Sequence, residues 1–253
     1  MKRKVLIVGI GAGNPDHMTA QAIDALNRVS VLFISHKGEE KQDLARLRRD
    51  ICERFIRNDG CRLVDFDVPA RGSSPSYRES VARWHDDVAG IYERLLRDEL
   101  GEEECGAFLV WGDPSLYDST MRVLERIRSK GNLELEYEVI PGISSVQALA
   151  AAFKIPLNRI GESVMVTTGR KLAEGFPANA DSVIVMLDGD CTFKTVGQDF
   201  EIYWGAYLGT GDQILISGKL RDVAEEIERV RGEARERKGW IMDTYLLRKP
   251  GKP

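Results

Sequence analysis

The chain has 253 residues, with 36 basic and 40 acidic side chains, a formal net charge of −4 and 43% hydrophobic residues. That is enough for one large domain or two modest ones, each with a substantial core. The acidic balance argues against a general nucleic-acid binder, and no apolar run approaches the ~20 residues of a membrane span.

Lys4–Val8 reads as a buried strand. The basic Met1–Lys4 ahead of it imitates a secretory signal, but Gly9, Gly11, Gly13 and Pro15 cut the apolar stretch short, so a cytoplasmic protein is expected. A helix is predicted from Pro15 through Met18, Ala22, Ile23 and Leu26, then a strand over Val29–Ile34. Leu44, Leu47, Ile51 and Phe55 share one face of a helix within 39–57. A strand over Arg62–Val68 leads through the loop Arg71–Pro75 to a long helix over 77–100, with Val81, Trp84, Val88, Ile91 and Leu95 as its stripe. His85 within it reads as a solvated residue. The strand Ala107–Trp111, a helix over 117–129 and the strand Leu135–Ile140 complete a strand–helix alternation that implies a largely parallel sheet with helices on both faces.

After a helix over 145–153 the pattern changes. Strands are predicted at Val164–Thr168, Ser182–Leu187, Ile202–Leu208, Gln213–Ile216 and Trp240–Leu247, with one charged, solvent-facing helix from Leu220 to Lys238. The expected architecture is therefore two α/β domains, 1–140 with a mostly parallel sheet and 141–253 with a mixed one. The four cysteines, at 52, 61, 105 and 191, lack metal-ligand or C-x-x-C spacing and read as small, half-buried apolar residues.

Three glycine loops carry the chemistry. Gly9-Ile10-Gly11-Ala12-Gly13 lies between strand and helix, where a ligand can approach the backbone. A dinucleotide fingerprint fails: its third glycine comes one residue early, and the second strand ends Ile34-Ser35-His36 without a carboxylate for a ribose. Trp111-Gly112-Asp113-Pro114 and Pro141-Gly142-Ile143-Ser144-Ser145 repeat the strand–turn–helix scheme. In a doubly wound sheet all three fall beyond the carboxyl ends of strands, at the ligand edge.

Gly9-x-Gly11-x-Gly13-x-Pro15, Gly112-Asp113-Pro114-x-x-Tyr117 and Ile140-Pro141-Gly142-Ile143-Ser144-Ser145 together resemble the tetrapyrrole (precorrin) methyltransferases, in order and spacing over essentially the whole chain. Ala12 departs from the proline common there and leaves the detail of the first loop open. The resemblance implies the two-domain tetrapyrrole methylase fold, S-adenosylmethionine bound in the cleft, and a homodimer. It carries cofactor contacts onto Ala12, Trp111, Gly112, Asp113, Leu116, Ser144 and Ser145, and onto Leu187, Ala206 and Trp240, with Met186 or Tyr207 one residue away. The segments 203–210, 214–218 and 239–247 are similar to members that methylate C-1 of precorrin-5 and expel acetate. A C-methyltransferase without deacetylation and a non-catalytic tetrapyrrole-binding protein stay open.

Deacetylation calls for a base and an oxyanion donor. His36, at the ligand edge, is the candidate base and Tyr117 the candidate donor. Asp16 reads as a helix cap beside His17, and Asp188 and Asp190 as turn residues or substrate-facing groups. A polycarboxylate substrate calls for guanidinium groups, for which Arg71 and Arg170 are the candidates.

Overall fold

The computed structural model describes residues 2–36, 42–70, 72 and 77–250. They form two compact units, Met1–Ser144 and Ser145–Pro253; the sequence alone placed the junction four residues earlier.

The first unit is a five-stranded sheet in the order β3-β2-β4-β1-β5, every pairing parallel. Its strands are β1 (Lys2–Gly9), β2 (Val31–His36), β3 (Arg62–Asp67), β4 (Cys105–Val110) and β5 (Glu134–Ile140). Successive side chains of a strand face opposite ways, so β1 feeds two cores. Val5 and Ile7 join Phe33 and Phe108 beneath α3 (Tyr77–Asp98) and α4 (Thr120–Lys130). Leu6 and Val8 join Leu32 and Ile34 beneath α1 (Ala20–Leu26) and α2 (Gln42–Phe55). The Phe108 ring is stacked between Phe33, at 4.8 Å, and Tyr92 of α3, at 4.1 Å.

Two expectations for this unit need correction. The helix predicted from Pro15 is broken: Pro15–His17 is a 3-10 turn, Met18 turns extended at ψ 128°, and α1 starts afresh at Ala20. Asn14 and Thr19 supply the caps, while Asp16 pairs with Arg54 at 2.5 Å and caps nothing. His85 is buried, not solvated. Burial and the guanidinium groups of Arg126 and Arg122 hold its imidazole below the ordinary histidine range.

In the second unit, α5 (Ser145–Phe153) precedes a mixed sheet in the order β6-β7-β10-β8-β9. Its strands are β6 (Val164–Thr168), β7 (Ser182–Met186), β8 (Glu201–Ala206), β9 (Ile214–Lys219) and β10 (Asp243–Arg248). β6 and β7 are parallel and the other pairings antiparallel. α6 (Gly169–Leu172) follows β6, and α7 (Leu220–Lys238) ends at Gly239 in the left-handed region.

α7 is not wholly solvent-facing. Arg231 is buried, its Nε donating to Asp243 Oδ2 at 2.9 Å and its Nη2 to the Asp188 carbonyl at 2.6 Å. Trp204 Nε1 donates to the same Asp243 oxygen at 2.9 Å. The second sheet therefore closes over a paired charge. Among the described residues no helix is long and apolar enough to cross a membrane.

Candidate active site

The three glycine loops meet at the carboxyl edge of the first sheet. Gly11 and Gly112 form an isolated bridge, with Gly112 N–H donating to the Gly11 carbonyl at 2.8 Å. The third loop packs onto this pair so closely that a Cβ at Gly9 would lie 2.6 Å from Gly142 N and 2.9 Å from the Gly112 carbonyl oxygen. Only hydrogen on Cα fits. Gly112, at φ 70°, adds a left-handed turn that other residues adopt only under strain.

Asp113 pins the junction. Its Oδ2 accepts the Gly142 N–H at 2.9 Å, and its Oδ1 accepts from the Ser115 N–H at 2.8 Å and from the Ser115 hydroxyl. Burial pushes this carboxyl up, but the three hydrogen bonds prevail and hold it below the usual carboxylate range. The sequence reads Asp113 both as a cofactor contact and as a turn former beside Pro114; these bonds give it a place between two loops. Ala12 and Ser144 are buried in the same cluster, with Trp111 and Leu116 half-buried beside them.

The candidates of the second unit sit at strand ends. Leu187 follows β7 at φ 54° with 66% of its surface exposed, unusual for a large apolar residue. Ala206 closes β8 and is fully buried; Tyr207 after it has φ 49°. Tyr207 OH donates to the Trp240 carbonyl at 2.6 Å, and the two rings meet edge to face at 5.0 Å. The Trp240 indole Nε1 is buried without a hydrogen-bond partner among the described residues, an open donor in an otherwise satisfied cluster. The Ser145 hydroxyl lies 2.9 Å from that of Thr244 in β10.

The sequence profile of the tetrapyrrole (corrin/porphyrin) methylases matches residues 4–224. The chain belongs to that family. It is 55% identical over 249 residues to a precorrin-6A synthase [deacetylating] from a Sinorhizobium species, covering 98% of this chain and 95% of that one. A crystal structure of a cobalamin synthesis related protein (CobF) from Corynebacterium diphtheriae superposes with a TM-score of 0.84 at 36% identity, covering 98% of both chains. Uroporphyrin-III C-methyltransferase from Thermus thermophilus, complexed with S-adenosylhomocysteine, shares the fold at a TM-score of 0.58 and 15% identity, covering 97% of both chains. This methylase is thus an enzyme, and S-adenosylmethionine is its methyl donor.

The remaining candidates are dispersed. His36 ends β2 with Nε2 2.5 Å from Asp65 Oδ1, which also accepts from Arg49 at 2.5 Å. Burial raises the Asp65 carboxyl, but His36 and Arg49 outweigh it and draw it below its ordinary range. One ring nitrogen of His36 is thereby oriented, as in a base backed by a carboxylate. Tyr117 lies beyond the Gly-Asp-Pro turn at φ 54°, 44% exposed, its phenol raised by burial. The left-handed backbone there delays α4 to Thr120. Arg170 is an exposed residue of α6, while Arg71 lies outside the described residues.

Asp188 faces inward. It accepts from Thr192 N at 2.7 Å, Thr192 Oγ1 at 2.8 Å and Tyr245 OH at 2.6 Å. Two features escaped the sequence reading. His17 packs under Gly11 with Nδ1 buried and without a hydrogen-bond partner among the described residues. Arg48 is buried in the first unit; its spacing of three and four from Ile51 and Cys52 put it on the apolar face of α2, and that was the available signal.

Proposed function

We propose that this methylase transfers a methyl group from S-adenosylmethionine to C-1 of precorrin-5 and releases the acetyl group as acetate, giving precorrin-6A in cobalamin biosynthesis. The observation that carries the reading is the 55% identity to a precorrin-6A synthase [deacetylating] over 98% of the chain. The proposed cofactor contacts are Ala12, Trp111, Gly112, Asp113, Leu116 and Ser144 in the first unit and Ser145, Leu187, Ala206 and Trp240 in the second. Asp113 holds the loops that present them. The Trp240 indole N–H, buried without a hydrogen-bond partner among the described residues, supports the reading in the second unit, and the close packing of Gly9 on Gly142 and Gly112 fixes the loops of the first.

The sulfonium supplies a methyl group that is already electrophilic. The chain's own task is alignment and exclusion of water, worth roughly 7–11 kcal/mol when the geometry is held; backbone on three cross-linked loops suits it. Removal of the acetyl group uses one water to cleave the bond between ring carbon and acetyl carbonyl, and the ring carbon takes the methyl group with the freed electron pair as the sulfonium C–S bond breaks. Oxygen goes to the acetyl carbon, the bonding pair stays with the ring carbon, and the released proton must be accepted. His36, oriented by Asp65, is the proposed acceptor, Tyr117 the proposed donor to the carbonyl oxygen, and Arg170 with Arg71 the proposed carboxylate contacts. The enzyme is proposed to work in the cytoplasm as a homodimer.

The test is anaerobic incubation with enzymatically generated precorrin-5 and methyl-labelled S-adenosylmethionine, following label in the tetrapyrrole and free acetate together. Equal amounts of both are expected. Label without acetate overturns the deacetylating reading and keeps the family; absence of both overturns the substrate.

A further inference from the structure

Leu187 follows β7 in a conformation that a leucine does not favour. Its φ of 54° is left-handed, and a bulky side chain there is a true outlier. Such conformations persist where the surroundings over-determine them, and they gather at ligand sites. On the near side of Leu187, Met186 is paired in the sheet with Thr168 of β6 and Thr244 of β10. On the far side comes Asp188, which is buried.

The Asp188 carboxylate is fully engaged. Oδ1 accepts the Asp190 N–H at 3.0 Å and the Thr192 hydroxyl at 2.8 Å; Oδ2 accepts the Thr192 N–H at 2.7 Å and the Tyr245 hydroxyl at 2.6 Å. Four donors are about what two carboxylate oxygens accommodate. Three of these bonds wrap the loop 188–192 onto itself, around a second left-handed residue, Cys191 at φ 52°. The fourth fastens the loop to β10. Burial, and after it the Asp188 carboxylate, push the Tyr245 phenol up, so its hydroxyl remains a donor. The Tyr245 ring is itself packed edge to face on Phe193 at 5.4 Å.

The backbone is held as well. Arg231 donates Nη2 to the Asp188 carbonyl at 2.6 Å and Nη1 to the Gly189 carbonyl at 3.3 Å. At the start of α6 the packing is closed: a Cβ on Gly169 would lie 2.5 Å from Asp188 Oδ1. Leu187 is therefore joined to two fixed neighbours and has no room to relax its backbone. Within this clamp its side chain stands 66% exposed.

We propose that Asp188 is a positioning residue for methyl transfer: with Tyr245, Thr192 and Arg231 it holds Leu187 in the left-handed conformation that presents its side chain to S-adenosylmethionine. The inference rests on the reading of Leu187 as a cofactor contact, and Asp188 acts through it. An apolar side chain on a backbone fixed beforehand can cover a purine face without further ordering on binding, which is how preorganisation raises affinity.

The experiment is a double-mutant cycle on the full chain, read by calorimetric S-adenosylhomocysteine affinity. Leu187→Ala removes the presented side chain. Tyr245→Phe removes one hydroxyl and keeps the ring on Phe193, while Asp188→Asn turns an NH2 group against two of the four donors. Circular dichroism and Tm establish that each variant is folded; should Asp188→Asn fail to fold, Tyr245→Phe carries the cycle alone. Leu187→Ala and Asp188→Asn are each expected to weaken binding about tenfold and Tyr245→Phe about threefold. In the Leu187→Ala background the other two should cost less than about twofold more, while lowering Tm as they do in the wild-type background. A merely structural lesion would not lose its effect on affinity when one side chain is missing.

Losses that multiply in the double variants, or wild-type affinity in both Tyr245→Phe and Asp188→Asn, overturn the positioning role and leave Leu187 a contact. Wild-type affinity in Leu187→Ala overturns the contact, and the positioning role with it. Neither result involves precorrin-5, so the methyl acceptor is judged separately by the labelling experiment.

Discussion

Gly142→Ala tests the convergence of the three loops. The new Cβ would lie 2.9 Å from Gly9 Cα and closer still to the Gly112 carbonyl oxygen. Both neighbours are backbone on other loops, so neither relaxes by a rotamer change. Overpacking of this kind costs about 3 kcal/mol, the upper end of the usual range, and lowers Tm by roughly 6–12 °C in a chain of this size. Gly112→Ala is the internal control. Its Cβ would lie 3.6 Å from the nearest atom, Ser144 Cα, leaving only the left-handed backbone at φ 70° as a cost, about 1 kcal/mol. Urea titrations give the two differences from midpoints at constant m. Calorimetry with S-adenosylhomocysteine gives the functional readout, expected to weaken at least tenfold in Gly142→Ala. Equal destabilisation of the two variants, or wild-type affinity in Gly142→Ala, refutes the reasoning.

Three further outcomes are expected. The Asp113 carboxyl lies below its unfolded value of about 3.9, so its contribution is complete above that pH and is lost as pH falls through the depressed folded value. Urea midpoints of wild type and Asp113→Asn should differ most at neutral pH and converge below about pH 4; a gap independent of pH contradicts this. Arg231→Met strands the buried Asp243 carboxylate and the Asp188 carbonyl and should cost about 3–5 kcal/mol in thermal unfolding, with Arg231→Met/Asp243→Leu recovering part. His36→Ala should slow acetate release from precorrin-5 while leaving S-adenosylhomocysteine affinity intact; undiminished acetate production removes His36 from the chemistry.

Periodicity made much of the fold readable before any coordinates. α5, α7 and β6 begin and end where apolar spacing put them, because each is bounded by local signals such as the serine pair at 144–145 and Gly239. The failures share one cause: local pattern says nothing of what comes across from elsewhere. Tyr117 and Met18 look helical in a window of residues, yet φ 54° at one and ψ 128° at the other end the pattern. Arg231 and His85 look solvated on charged helices until β10 and α4 pack against them. In the site, the glycines announced themselves because a missing side chain is a signal in sequence. Arg48 and the Trp240 indole gave weak signals or none, since the burial of each depends on residues packed against it from elsewhere in the chain.

The strand order of the first sheet also governs how the chain is made. Among the described residues β1 pairs with β4 and β5, so Val8 is made well ahead of its partners Leu109 and Ile140. At ~5–20 residues per second of synthesis, the strand Val5–Val8 spends roughly 7–26 seconds without its final neighbour. During that interval an apolar β-branched segment with two unpaired edges is available to any other nascent chain. The interior position that covers both edges of β1 in the finished sheet leaves both open until β4 and β5 are made, and chaperone demand is expected to peak before residue 140 emerges.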